Sequence, residues 1–312
     1  MNKELIYGCM GLGGEWDDKQ PTKEDYLQAE KAIEAALETG IRFFDHADIY
    51  KLGKSEQVFG QVLKNNPGLR EKITVQSKAG ICYHEGMERS NIYDLSKGYL
   101  LKQVDGILQR LNTEYLDIFL LHRPDPLMRP SEIAETFAEL KQAGKVRAFG
   151  VSNMSVAQIT LLQNNLDEPL VTNQIQLSLG HALLLDSAVL VNRINSVDYN
   201  GVDGMLEYAQ TNNLSIQAWS AMDGGRFTGN FDLVSAEDKR TINLIRQLAE
   251  KYGTTASAIV LAWLYKIPGN IQPVIGTTNP ERIRECKDAT SIELAKEDWY
   301  DLWIAARGQR IP

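Results

Sequence analysis

Short apolar runs alternate along this chain with longer stretches in which apolar residues recur every three or four positions. The runs are 5–10 (LIYGCM), 41–44 (IRFF), 73–76 (ITVQ), 117–121 (DIFLL), 148–151 (AFGV), 171–175 (VTNQI), 215–219 (SIQAW) and 272–275 (QPVI). They are near-continuous rather than alternating, which suits strands of a parallel sheet buried on both faces. The stretches between them predict helices. Tyr26, Ala29, Ile33, Ala36 and Leu37 share one face, with Thr22 and Asp25 as a T-x-x-D start and Gly40 as a stop. Leu101, Val104, Leu108 and Leu111 make a second stripe; Ile133, Phe137 and Leu140 make a third, stopped by Gly144. Further helices are expected near 155–164, 202–211, 238–252, 255–265, 280–288 and 296–307. Eight strands in one series with helices predict an α/β fold of the (β/α)8 TIM barrel type, as a single domain over residues 1–312. A doubly wound open sheet is the competing architecture. No Pro/Ser-rich linker, low-complexity segment or fixed-period repeat divides the chain.

Composition narrows the class of function. Lys plus Arg total 33 and Asp plus Glu total 41, so the net charge is −8. Such a field repels phosphate backbones and anionic membranes, and neither nucleic acid nor membrane is expected as a partner. No run approaches 18 uninterrupted apolar residues, and the N-terminus has no apolar signal core, so a cytoplasmic protein is expected. Cys9, Cys82 and Cys286 are far apart and show no C-x-x-C spacing; free thiols are expected, with no metal site.

In a barrel of this kind, function collects where strands end. The second run leads into Asp45-His46-Ala47-Asp48-Ile49-Tyr50, the third into Ser77-Lys78, and the fourth into His122-Arg123. The fifth leads into Ser152-Asn153, the sixth carries Gln174, and the seventh leads into Trp219-Ser220. A tyrosine is a poor acid at neutral pH, but an adjacent ammonium favours its phenolate. Lys78 is placed to supply that charge and so lower the Tyr50 pKa, with Asp45 holding Lys78 and His122 orienting a substrate oxygen. Alone, each residue has a blander reading: Asp45 a cap, Lys78 a solvated surface lysine, His122 a satisfied core histidine. His46, His84 and His181 are read as surface or loop histidines, Asp48 as a turn residue and Glu56 as a brace.

The segments FFDHADIY, SKAG, LLHRPDP, GKVRAFGVSN, NQIQ, QAWSAM and VIGTTNPERI, in this order, resemble the aldo-keto reductase superfamily. The resemblance spans nearly the whole chain. It implies a (β/α)8 barrel, an NADP(H) cofactor and reversible carbonyl reduction of a small molecule, with no protein partner inferable. It assigns the catalytic tetrad to Asp45, Tyr50, Lys78 and His122. It assigns Ser152, Asn153 and Gln174 to the nicotinamide carboxamide, and Trp219 to a stack on the ring. Ser220, Ala221, Met222 and Arg226 fall in the loop that crosses the pyrophosphate. Gly276, Thr277, Thr278 and Arg282 fall around the 2′-phosphate, with Glu285 on the adenine. Arg282 also lies near the start of a helix opened by Pro280, and helix N-termini favour anions. Many members carry Lys where Gly276 stands, and Asn where Cys286 stands.

Gly11-Leu12-Gly13-Gly14 is not a dinucleotide fingerprint, because Trp16 occupies the third glycine position of G-x-G-x-x-G. Gly13 and Gly14 are read as a close-approach turn beside the nicotinamide. Trp16, Tyr83, Arg123, Met222 and Phe227 are expected in the substrate pocket. Two rivals stay open: a lyase or aldolase using Lys78 as a Schiff base, and a non-catalytic cofactor-binding subunit.

Overall fold

A computed structural model describes residues 3–82, 92–190, 201–229 and 235–312. Eight parallel strands close into a barrel: β1 (Ile6–Gly8), β2 (Phe43–Asp45), β3 (Thr74–Ala79), β4 (Leu116–Leu121), β5 (Val146–Ser152), β6 (Thr172–Gln176), β7 (Ser215–Trp219) and β8 (Ile271–Ile275). Neighbours in the chain are neighbours in the barrel, and β8 closes on β1 through Ile6↔Val274 and Tyr7↔Ile275. Each strand coincides with one apolar run of the sequence.

Side chains alternate between the barrel interior and the helical shell. Phe43 points in, against Ile6 and Val274, while Phe44 points out against Tyr7 and Phe59. Asp45 again points in. On β3, Gln76 and Lys78 point in, while Ser77 points out to Glu56. The interior is therefore layered: apolar at the strands' N-terminal ends, glutamine above, and charged at the C-terminal rim.

Helix α1 (Lys23–Glu38) starts on a full capping box, with Thr22 Oγ1 accepting from the Asp25 amide and the Asp25 carboxylate accepting from the Thr22 amide at 2.7 Å. Its Ala29, Ala32, Ile33 and Ala36 are buried against the sheet. Helix α2 (Lys54–Asn65) was not anticipated. Gly60 interrupts its apolar face, and glycine is a poor helix former. It stands there because a Cβ would run into the Arg110 carbonyl oxygen, where α2 packs tightly on helix α3 (Lys97–Leu111). A second unanticipated helix covers Leu183–Val189. The helix expected over 280–288 divides into Pro280–Arg284 and a 3-10 turn at Lys287–Thr290. Ile81–Cys82 pairs antiparallel with Ile92–Tyr93; Tyr83, expected in the substrate pocket, lies outside the described residues. Among the described residues no helix is long and apolar enough to cross a membrane.

Candidate active site

The four residues expected to act together converge at the C-terminal rim. Asp45 ends β2, Lys78 lies on β3, Tyr50 opens the turn Tyr50–Gly53, and His122 directly follows β4. Backbone bonds extend the sheet into these loops: the amides of His46, Asp48 and His122 donate to the carbonyls of Gln76, Lys78 and Ala79 at 2.8–3.0 Å. Lys51 and Leu52 then adopt left-handed φ of 52° and 58°. Such angles cost roughly 1–2 kcal/mol per residue, so the turn presenting Tyr50 is held by its surroundings rather than by local preference.

Lys78 is only 1% exposed, yet its Nζ donates to both Asp45 oxygens at 2.7 and 2.8 Å and to the His46 carbonyl at 2.7 Å. The ammonium lies 4.9 Å from the centre of the Tyr50 ring, and the His122 ring meets Tyr50 edge-on at 6.0 Å. Burial works against the Lys78 charge, but Asp45 and Tyr50 overcome it and hold the pKa above the ordinary lysine value. For Tyr50 the balance differs from the sequence expectation. Burial raises its pKa and outweighs the opposing Lys78 charge, so the net shift is upward. His122 is held well below the usual imidazole range by burial first, then by Lys78 and Arg123, and is neutral at pH 7.

Two further polar residues of this loop are buried, Asp48 within its expected turn. His46 is fully buried rather than superficial, packed edge-on against Phe59 at 4.5 Å, and neither ring nitrogen has a partner among the described residues. Its pKa is pushed down to about 3 by burial and by Lys78, so it is a neutral packing residue. Asp48 is also buried, and its carboxyl is pushed up to about 8 by burial and by nearby Glu56. Glu56 acts as the brace: its carboxylate accepts from Ser77 Oγ at 2.7 Å and from Arg110 Nε at 2.8 Å, tying α2 to β3 and α3.

A cavity of about 830 Å³ runs from Asp45, Tyr50 and His122 past Ser152, Asn153, Gln174 and Trp219 to Gly276, Thr277, Arg282 and Glu285. Ser220, Ala221, Met222, Trp16 and Arg123 also line it. Polar groups along one wall are locked together. Ser152 Oγ donates to the Gln174 carbonyl at 2.9 Å, Asn153 Nδ2 donates to Ser152 Oγ at 2.7 Å, and Trp219 Nε1 donates to Asn153 Oδ1 at 3.0 Å. Asn153 and Ser220 hold left-handed φ of 57° and 58° at the rim. Arg282 is exposed and makes no ion pair among the described residues, whereas Glu285 accepts from Ser257 Oγ at 3.0 Å. The N–H groups that open its five-residue helix are already taken: Glu281 and Arg282 donate to Asn279 Oδ1 at 2.9 and 3.3 Å. The guanidinium, not the helix end, is therefore the group left without a partner among the described residues.

Several expected residues lie elsewhere. Gly13 makes a close approach, but to the backbone of Lys54 and Ser55, and Gly14 lies against Asp25; neither lines the cavity. Arg226 turns away to Asp238, with Nη2 donating at 2.8 Å to Oδ1, because two acids, Asp223 and Asp238, compete for it. Phe227 is buried in the main core, and Thr278 packs beside Gly11. Met10, Ile49, Thr228, Ser257 and Cys286 line the cavity without having been expected. Met10 and Ile49 carry only a proximity signal, each one or two residues from a strand end or from Tyr50. Cys286, where asparagine was the family's expectation, donates Sγ–H to the Arg282 carbonyl at 3.3 Å, and burial pushes its thiol up to about 12.

The chain is 38% identical to the uncharacterized oxidoreductase YcsN of Bacillus subtilis over 99% of this chain and 95% of that protein. It is 34% identical to a 6-dehydroglucose reductase of Agrobacterium fabrum, over 98% of this chain and 95% of the relative. An aldo-keto reductase from Klebsiella pneumoniae, solved in complex with NADPH, has the same fold at 22% identity, with a TM-score of 0.72 and coverage of 97% of this chain and 94% of that one. The model of the aldo/keto reductase family matches residues 4–305, and with these relatives it establishes that the chain belongs to that family.

Proposed function

We propose that this protein reduces an aldehyde or ketone to the alcohol with NADPH, Tyr50 serving as general acid. One observation carries the reading: a buried Lys78–Asp45 ion pair lies under the Tyr50 ring, with His122 across from it, against the same cavity that Ser152, Asn153, Gln174 and Trp219 line. Burial keeps the Tyr50 phenol protonated at neutral pH, so the proton to be delivered is present. The Lys78 charge opposes that burial and stabilises the phenolate left behind. Neutral His122 offers an imidazole N–H to the substrate oxygen and fixes its direction toward Tyr50. Asp45 keeps Lys78 charged and in place, which makes Lys78 a poor Schiff-base nucleophile and disfavours the lyase reading.

The cavity's groups fit the cofactor. Trp219 gives a flat indole face. Ser152, Asn153 and Gln174 give polar atoms for a carboxamide, and Gln174 Oε1 takes no hydrogen bond among the described residues. Arg282 gives an unpaired fork for a phosphate, with Thr277 beside it. When bound, NADPH supplies the hydride. At the substrate end Arg123 is half-buried, with no ion pair among the described residues, among Met10, Trp16 and Ile49. That suits an oxygen-rich carbonyl compound. A panel of aldehydes, ketones and dehydrosugars, followed by loss of NADPH absorbance, tests the proposal. Turnover of at least one class is expected; a folded protein that neither binds NADPH nor turns over any member would refute it.

A further inference from the structure

We infer that Gln76 and Gln217 form a positioning relay through which the Asp45 carboxylate fixes the Gln174 amide, leaving its oxygen alone to face the nicotinamide carboxamide. The inference rests on the cofactor reading above.

The relay crosses the barrel interior. Gln76 stands on β3, Gln217 on β7 on the opposite side, and Gln174 on β6 next to Gln217. All three are 0–2% exposed. A carboxylate only accepts hydrogen bonds, so the end of Gln76 that meets Asp45 must be Nε2. It donates to Asp45 Oδ1 at 2.6 Å. The next amide is set by the first. Gln76 Nε2 donates to Gln217 Oε1 at 2.8 Å, and Gln217 Nε2 donates back to Gln76 Oε1 at 3.0 Å. The second lone pair of Gln217 Oε1 accepts from Gln174 Nε2 at 2.9 Å.

Flipping any one amide would set donor against donor or oxygen against oxygen in a space closed to water. The polarity therefore propagates outward from a single charge. Gln174 directs its amide nitrogen inward, and its oxygen remains toward the cavity that it lines. A cofactor carboxamide meeting that oxygen must turn its NH2 to it. The same carboxylate that holds Lys78 thus selects the orientation of the carboxamide.

The test compares NADPH with its 3-acetylpyridine analogue, in which a methyl group replaces the carboxamide NH2. Both are titrated against the folded protein by intrinsic tryptophan fluorescence. Wild type should bind NADPH about tenfold more tightly, the scale of one net hydrogen bond. In Gln217→Met the Gln174 amide loses its anchor, and the ratio should fall to near one through weaker NADPH binding. Gln217→Glu, protonated when buried, keeps a carbonyl acceptor and one donor and should restore most of the ratio. Gln76→Met breaks the link one step earlier and carries the same readout if Gln217→Met does not fold. A merely structural role would weaken both cofactors together. An unchanged ratio in the folded Met variants, or a ratio near one in wild type, would overturn the relay while leaving the cofactor reading intact. Wild type binding neither cofactor would overturn both.

Discussion

Replacing Lys78 by methionine isolates the interaction on which the candidate site is built. Methionine keeps most of the length of the side chain but removes the charge and all the donors. Asp45, 2% exposed, would retain Gln76 Nε2 as its hydrogen-bond donor and lose both contacts from Nζ, and the His46 carbonyl would lose its partner. Breaking a buried pair from one side costs about 3–5 kcal/mol, because a charge is left uncompensated. For a domain of this size that lowers Tm by on the order of 10 °C. The double variant Lys78→Met/Asp45→Asn removes the stranded charge as well and should recover most of the loss, giving a coupling of several kcal/mol in a double-mutant cycle. Urea unfolding of wild type, both single variants and the double variant measures it. Carbonyl reduction by Lys78→Met should fall by roughly two to four powers of ten. Its residual rate should also begin its alkaline decline at higher pH, since Lys78 is the force opposing the burial-raised Tyr50 pKa. A Lys78→Met protein within about 1 kcal/mol of wild type, or a double variant no more stable than Lys78→Met, would refute the reasoning.

Three further outcomes are expected. Tyr50→Phe removes the proton but keeps the ring; turnover should drop by roughly two to four powers of ten with NADPH affinity nearly unchanged, and near-normal turnover would exclude Tyr50 as the acid. Arg282→Ala should weaken NADPH about tenfold or more while sparing NADH, because the loss is confined to hydrogen bonds with the 2′-phosphate; equal losses in fluorescence titrations, or a wild type that prefers NADH, would rule that assignment out. Asp48 is protonated in the folded protein up to about pH 8, against roughly 4 for an exposed carboxyl. The folded state therefore holds more protons than the unfolded state between these values, and wild-type stability falls as pH rises through that window before levelling off. Asp48→Asn lacks this slope, so its stability relative to wild type should increase from pH 5 to pH 9; parallel urea-unfolding curves would contradict the buried carboxyl.

The eight strands were legible because each is buried on two faces and must be nearly all apolar. That Asp45, Tyr50, Lys78 and His122 would meet was legible because they lie at or just past strand ends in order, and parallel closure brings those ends to one rim. Other features were not legible, because they depend on what approaches from elsewhere in the chain. Gly60 reads as a helix breaker until the Arg110 carbonyl is seen against it. Arg226 reads as part of the loop that crosses a pyrophosphate until Asp223 and Asp238 are seen to draw its side chain away. Gly13 and Gly14 need positive φ in either reading, and only packing shows that α2 and Asp25, not the cavity, lie beside them.

The sequence by itself determined the barrel, the identity of the rim residues and the family, because periodicity and motif order are properties of the chain. Tertiary structure decided the chemical state of those residues. Lys78 and Tyr50 carry the same groups in any peptide, but only the closed barrel removes water from around both. Desolvation then exceeds the attraction between them, and the Tyr50 pKa rises where the sequence alone suggested a fall. Gln76 and Gln217 read as ordinary strand residues 141 positions apart. Closure of the barrel sets them face to face across its interior, and a buried amide must satisfy its donors and acceptor with whatever that closure brings within reach.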